Sequence, residues 1–511
     1  MAKKTKIKTS NLFDAPKTAQ ELKLEGVQNL YNFLFEACNI LRGPVSQDKF
    51  KDYITPILYY KRISDVYDEE TEAALEKSGG DMEYATLPEQ HRFVIPDDCH
   101  WQDVRERTEN LGSAIVGAMR GIELANPDTL YGVLSMFSAQ KWTDKKNLSD
   151  GKIRDLIEHL STKKLGNRDY PTDLMGDAYE ILLKKFADDS KAKAGEFYTP
   201  RSVVQLLIRI LDPKPGESVY DPACGSGGML IEAVHHMNHS SLCCGNIFGQ
   251  EKNVVNSAIA KMNLFLHGAS DFNIMQGDTL RNPKILQGGE VAKFDCVIAN
   301  PPFSLEKWGS TEWSSDKYGR NIWGTPSDSC GDYAWIQHMI ASMAPGNGRM
   351  AVVMPQGVLF RGNEEGRIRE KLVKSDMVEA VVTLGDKLFY GTGLSPCFLI
   401  IRKMKPAAHS ARILMVDGTK ILTQKRAQNI LEQKDVDRLF ELYENYENVE
   451  DFSQVVTLEE IAAKGYDLSP NKYVQYHREA IKPYAEVLAE FKAAYEEVKL
   501  REAEFRRIIN V

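Results

Sequence analysis

The residues best placed to do chemistry form one tetrapeptide, Asn300-Pro301-Pro302-Phe303, closing the apolar run Phe294-Asp295-Cys296-Val297-Ile298-Ala299. That run has the composition of a buried strand. Two successive prolines cannot continue a sheet ladder, so the strand stops at Asn300 and the backbone stiffens there. An amide is thereby fixed at the carboxyl edge of a sheet, where open α/β folds bind ligands, with an aromatic ring three residues on. The chemistry that fits is methylation of a planar amino nitrogen, whose delocalised lone pair makes it a poor nucleophile. The Asn300 side-chain oxygen and the Pro301 carbonyl would accept its hydrogens and leave the lone pair to attack, while Phe303 stacks on the flat substrate. Alone, the tetrapeptide also reads as an Asn-Pro turn after a strand. Its neighbours decide.

Three earlier strand ends supply a second set of groups. Asp221-Pro222-Ala223-Cys224-Gly225-Ser226-Gly227-Gly228 closes one strand and opens a helix. Its glycines permit a tight turn, and the helix N-terminus favours an anion such as a carboxylate. A dinucleotide site would use a similar turn, but Leu230 stands where the third glycine of that motif belongs. The next strand ends at Glu251, suited to two ribose hydroxyls. The third ends at Asp278, suited to an adenine amino group, with Leu280 to cover the ring. A lone carboxylate is ordinarily a solvated strand end; three in succession with matched chemistry call for an adenosine bearing an amino acid, S-adenosyl-L-methionine. Upstream, Glu196-Phe197-Tyr198-Thr199-Pro200-Arg201 precedes a helix. Thr199 as cap and Pro200 in the first turn explain it structurally. Functionally, its aromatics would face the sulfonium cation.

These groups need a scaffold. Strand candidates are 218–221, 247–251, 273–276, 294–300, 350–354, 378–384 and 397–402, with 413–416 as an eighth. Helix candidates 229–237, 254–267, 333–343 and 364–374 fall between most of them. The alternation predicts a doubly wound parallel sheet, α/β and Rossmann-like. Before it, residues 1–170 read as a helical domain, with Leu30, Phe33, Leu34 and Ala37 at helical spacing and again Tyr53, Leu58, Ile63 and Val66. The catalytic domain is placed at 171–420 and opens with a helix at 173–187. Residues 421–511 are expected to be helical and polar. Within them Tyr484, Leu488, Phe491, Tyr495, Val498 and Phe505 form a one-sided seam over 481–509.

Composition narrows the field. With 511 residues the chain holds two or three domains, and 43% hydrophobic and 27% charged residues are ordinary for a globular protein. No stretch is apolar enough to cross a bilayer and no secretory signal is present, so a cytoplasmic setting is expected. The eight cysteines lack C-x-x-C spacing, which agrees with a reducing compartment. His235 and His239 lie at helical spacing near Cys243 and Cys244, but a helix end running into a strand explains them without a metal. Net charge is −8, the wrong sign for wrapping nucleic acid unaided, so local basic patches or a partner must supply phosphate contacts.

Taken in order, Glu196–Arg201, Asp221–Gly228 and Asn300–Phe303 resemble the motifs of amino-methyltransferases. The arrangement is similar to the modification (methylase) subunit of type I restriction-modification systems, which methylates adenine N6 in DNA. Cys38-Asn39-Ile40-Leu41-Arg42-Gly43, Lys61-Arg62-Ile63-Ser64-Asp65, Gly331-Asp332-Tyr333-Ala334-Trp335, Met354–Gly362 and Phe389-Tyr390-Gly391-Thr392-Gly393 extend the resemblance over most of the chain. It implies cofactor contacts at Glu196, Phe197, Tyr198, Thr199, Pro200, Arg201, Ser226, Gly227, Gly228 and Glu251, beside Asp221, Asp278 and Leu280 from the residue reading. A flipped adenine would lie on Asn300, Pro301, Pro302 and Phe303. It also implies double-stranded DNA, a second modification subunit and a separate specificity subunit as partners, and leaves a restriction or translocase subunit open. The 481–509 seam is the contact expected for the specificity subunit. The Trp-, Gly- and Ser-rich segment 304–330 resembles a loop that orders over DNA, where Trp308, Trp313 and Trp323 would stack or wedge, or pack among themselves. The rivals are a protein-glutamine N5 methyltransferase, whose acceptor amide is equally planar, and a cofactor-binding scaffold without turnover.

Overall fold

The computed structural model describes residues 19–130, 132–134, 142–189, 199–238, 246–269, 271–389, 395–426, 428–477 and 484–508. Its first third is helical, as the apolar spacing requires. In α1 (Ala19–Leu41) the stripe Leu30, Phe33, Leu34, Ala37 is buried, and in α2 (Lys51–Ser78) so are Tyr53, Leu58, Ile63 and Val66. α2 stops at Gly79, which takes the left-handed conformation at φ 72° that a side chain would resist. α3 (Leu111–Ala125), α4 (Asp150–Ser161) and α5 (Thr172–Asp189) complete this layer. Arg62 fixes α2 to the segment before α5 by donating to the carbonyls of Gly166 (2.6 Å) and Tyr170 (2.9 Å).

The sheet strands are β1 (Val219–Asp221), β2 (Ile247–Glu251), β3 (Phe272–Gln276), β4 (Cys296–Ala299), β5 (Arg349–Pro355), β6 (Val378–Leu384), β7 (Pro396–Arg402), β8 (Arg412–Gly418) and β9 (Ser453–Thr457). Their spatial order is β9-β8-β6-β7-β5-β4-β1-β2-β3. Most are apolar throughout because both faces are covered. Cys296 and Ile298 of β4 point into the core beneath α6 (Arg201–Leu211) and α7 (Gly228–Asn238). Val297 and Ala299 point to the other side. That core also takes in α9 (Asp332–Ser342) and α10 (Asn363–Lys374). Each fully buried Val or Ile contributes roughly 1.5–3 kcal/mol. Between them in sequence, α8 (Val254–Leu266) joins the two parts of the molecule: Ile259, Met262, Phe265 and Leu266 belong to the apolar core of the helical layer.

Two features depart from expectation. The sheet is mixed rather than parallel, since β7 runs antiparallel to both β5 and β6. The link 385–395 is too short for the crossover helix that a parallel neighbour of β6 would need. The sheet also continues beyond residue 420: β9 pairs antiparallel with β8, and α11 (Gln433–Asn445) packs Val436, Leu439 and Leu442 onto the same core as α6. Ser453-Gln454-Val455-Val456-Thr457 is half-polar because β9 is an edge strand. Last comes α12 (Tyr484–Ile508), none of whose residues is buried.

Candidate active site

The winding of the sheet reverses between β1 and β4. From β1 the chain steps outward through β2 and β3, then returns to lay β4 on the opposite side of β1. A crevice opens at such a point, outside the carboxyl ends of the two strands. Asp221 ends β1, and Asn300 follows the last residue of β4. The two residues line one small cavity together with Thr199, Gly225, Ser226 and Gly228.

The floor of the cavity is the turn from β1 into α7. Gly225 (φ 54°) and Gly227 (φ 84°) are left-handed, and a Cβ added at Gly225 or Gly228 would meet nothing within 4 Å. The turn is braced from below, where the Asn263 side chain donates to the Ser226 carbonyl at 3.1 Å. Asp221 is 2% exposed; burial pushes its carboxyl up to about 8, although it accepts the Ala223 amide at 2.9 Å. A carboxyl so destabilised as an anion is suited to receive a cation. The cavity measures about 80 Å³, room for the ammonium and carboxylate end of an amino acid. An acidic wall over a glycine floor at a helix start fits the amino-acid end of S-adenosylmethionine.

At the end of β2, Glu251 accepts from Gly225 N (3.0 Å) and Asn253 N (2.6 Å), which fixes its carboxylate against the glycine turn. Asp278, after β3, accepts from Arg281 N at 3.1 Å and pairs with Lys252 at 2.9 Å. Leu280 is 3% exposed, its side chain packed with Trp308, Trp313 and Trp335. Glu196, Phe197 and Tyr198 lie outside the described residues. Thr199 does not cap α6. Pro200 holds the N-cap position, and the Thr199 hydroxyl instead accepts the Asn300 side-chain amide at 2.8 Å. Arg201 opens α6 with its guanidinium 3.2 Å from Asp177, 3.8 Å from Glu180 and 3.6 Å from Glu232.

On the other side of Asn300, Pro301 is buried and Phe303 is half-buried against the core under α6. The loop beyond is anchored at once: Ser304 N donates to Asp332 at 2.7 Å, and the fully buried Asp332 carboxylate is paired with Arg361. Arg361 also donates to Glu365 at 2.6 Å. Cys330, Asp332 and Glu365 are grouped closely enough to suggest a metal site, but the Arg361 guanidinium already supplies the cation.

Segment 304–330 is a folded wall. Trp308 and Trp313 are 2% and 1% exposed and meet edge-to-face at 5.5 Å. They pack with each other, while Trp323 is half-buried on the core under α9. Arg320 ties this wall to the cofactor side by donating to the carbonyls of Thr279 (2.9 Å) and Leu280 (3.0 Å), with its guanidinium 4.5 Å from the Trp313 ring centre. Among the histidines, His235 lies 3.1 Å from His267; His239, Cys243 and Cys244 are outside the described residues. Sequence reasoning missed Glu180, Glu232 and Arg320. The two glutamates sit on amphipathic helices, where a carboxylate ordinarily faces water.

A doubly wound sheet with a glycine turn and an Asn-Pro-Pro-Phe edge at its switch point defines a methyltransferase of the Rossmann-like class. Residues 170–481 match the family described as N-6 DNA Methylase, and residues 30–160 match the HsdM N-terminal domain. The type I restriction enzyme MjaVII methylase subunit of Methanocaldococcus jannaschii is 30% identical, over 82% of this chain and 73% of its own. The MjaIX methylase subunit of the same organism is also 30% identical, over 92% and 89%. Among solved structures, the type I restriction-modification methyltransferase subunit from Streptococcus thermophilus superposes with a TM-score of 0.75 at 26% identity, covering 88% of this chain and 100% of that one. The chain belongs to the N-6 DNA methylase family, as a modification subunit of the type I restriction-modification kind. Its activity is that of a DNA methyltransferase acting at adenine N6, and a protein-glutamine acceptor is not favoured.

Proposed function

We propose that the crevice between β1 and β4 holds S-adenosylmethionine against an adenine turned out of duplex DNA. When bound, the cofactor supplies an electrophilic methyl on a cationic sulfur. Asp221, Gly225, Ser226, Gly227, Gly228 and Arg201 hold its amino-acid end, Glu251 the ribose, and Asp278 the adenine. Asn300 and the Pro301 carbonyl accept hydrogens from N6 of the target, which stacks on Phe303 and attacks in line. Positioning does most of the work, since bringing two reactants into register removes much of the barrier. N6 sheds its proton readily once alkylated, so no separate base is assigned.

One observation carries this reading: Asn300 lines the same cavity as Asp221 and the glycine turn, which supports one shared site for methyl donor and acceptor. Labelled methyl transfer tests it. Asn300→Ala should abolish transfer to DNA while cofactor binding persists; undiminished transfer would remove Asn300 from the chemistry.

We assign base reading to a separate specificity subunit, docked on α12, with a second modification subunit completing the assembly in the cytoplasm. The apolar side chains Tyr484, Phe491, Tyr495, Val498 and Phe505 along α12 are all more than half exposed, which supports the docking assignment. Among the described residues, no helix is long and apolar enough to cross a membrane.

A further inference from the structure

We propose that Glu180, carried by α5 and outside the sheet altogether, supplies the negative charge that distinguishes the sulfonium donor from the thioether left after transfer. The inference rests on the cofactor assignment made above. Glu180 lines the cavity that also receives Asp221, the glycine turn and Asn300. A donor whose methyl faced Asn300 would place its charged sulfur at this cavity, beside Glu180.

Local sequence explains how a helix of the preceding layer reaches so far. Gly176 lies one turn before Glu180 on α5, and a Cβ there would fall 2.3 Å from the ring of His267 at the end of α8. Glycine at that position lets α5 ride directly on α8. Residues four apart share a helix face, so the same approach carries Glu180 into the cavity.

The charges around it are unbalanced. Among the described residues Arg201 is the one cation lining the cavity, together with Glu180, Glu232 and Asp221. Asp177 makes the closest contact with Arg201, at 3.2 Å, and is also 3.6 Å from Lys23. Glu180 lies 3.8 Å from that guanidinium and 3.7 Å from His267 Nε2, both beyond hydrogen-bond reach. Its side chain is 16% exposed. A largely buried carboxylate held only by long ion pairs is costly, and a cationic ligand beside it lowers that cost. Burial accordingly pushes its carboxyl up to about 7. The donor differs from the product by one methyl group and one positive charge, and a carboxylate acts on the charge.

Calorimetric titration of the full chain with S-adenosylmethionine and, separately, with S-adenosylhomocysteine tests the assignment. Glu180→Gln should weaken the sulfonium ligand about tenfold, roughly 1.4 kcal/mol, and change the thioether by less than about twofold. Equal weakening of both ligands would mean a structural role and overturn the assignment, as would no change in either. If Glu180→Gln does not fold, Glu180→Asp carries the test. Its charge is withdrawn by one methylene, so the ratio of the two constants must move in the same direction by at least about threefold, and an unchanged ratio overturns the assignment. A wild-type chain that takes up neither ligand would sink the cofactor assignment itself, whereas uptake of both with an unchanged ratio sinks only the role of Glu180.

Discussion

The Asn300 side-chain nitrogen donates to the Thr199 hydroxyl across 2.8 Å, so the segment before α6 and the end of β4 are joined at the amide proposed to hold the target base. With its nitrogen held, the amide offers its oxygen as the free end. Thr199→Val removes the acceptor and releases that orientation. One hydrogen bond is worth about 1 kcal/mol, so methyl transfer should slow by about fivefold to tenfold. Thr199→Ser should restore it. A Thr199→Val enzyme with an unaltered single-turnover rate would show that the contact does not orient the amide.

Donor binding should release protons. Burial raises Asp221 to about 8 and Glu180 to about 7, with Arg201 lowering the latter while Asp177 and Glu232 raise it. Both carboxyls are thus partly protonated in the free chain at neutral pH, and a cation favours their ionised forms. Affinity for the sulfonium donor should therefore climb as pH rises from 6 to 8 and level off above the higher value. Titration in buffers of different ionisation enthalpy reads the released protons directly; a pH-independent constant across that window would contradict the linkage.

The Asp332–Arg361 pair should matter for folding as much as for turnover. Asp332 is fully buried and holds both Ser304 N and the guanidinium. Removing the carboxylate gives up its bonds to Ser304 N and Arg361 while the partly exposed Arg361 keeps Glu365, a loss of about 1.5–3 kcal/mol. Asp332→Ala should lose that much in urea denaturation. A loss below about 1 kcal/mol would mean that water or another group replaces the carboxylate.

Tryptophan emission offers a test of the wall at 304–330. Since Trp308 and Trp313 are enclosed and touching, added DNA should leave their emission maxima unshifted. A chain keeping only those two tryptophans isolates the signal. Trp313→Ala should cost about 3–5 kcal/mol of stability. A red or blue shift on adding DNA would show that the wall opens.

Much of the scaffold could be read from residue pattern alone. Val378–Leu384 is a strand over its predicted span, because an unbroken apolar run between turns has little choice once both faces are covered. The direction of β7 was not legible, since periodicity carries no sign; only the length of the preceding link does. β9 escaped notice because an edge strand need not be apolar. At the site, Asp221 and Asn300 announced themselves through the glycines and prolines beside them. Glu180 did not, for the pattern around it is that of any amphipathic helix, and its single clue is the small residue one turn earlier. Thr199 was read as a helix cap because its local sequence permits that; only the fold brings Asn300 within reach.

No residue of α12 is buried by the described residues. A polar substitution such as Phe491→Ser should leave thermal unfolding of the isolated chain unchanged, since that side chain is 66% exposed, and should weaken assembly in sedimentation. A fall in the melting temperature of the chain alone would show that the helix folds back on its own subunit.

A subunit made in excess of whatever covers that stripe would display Phe491, Tyr495 and Phe505 to every protease and to every other copy of itself. Exposed, unanchored helix is where cleavage starts. Were a partner to cover α12, survival of the enzyme would depend on that company, and surplus copies would be cleared before they could act unaccompanied.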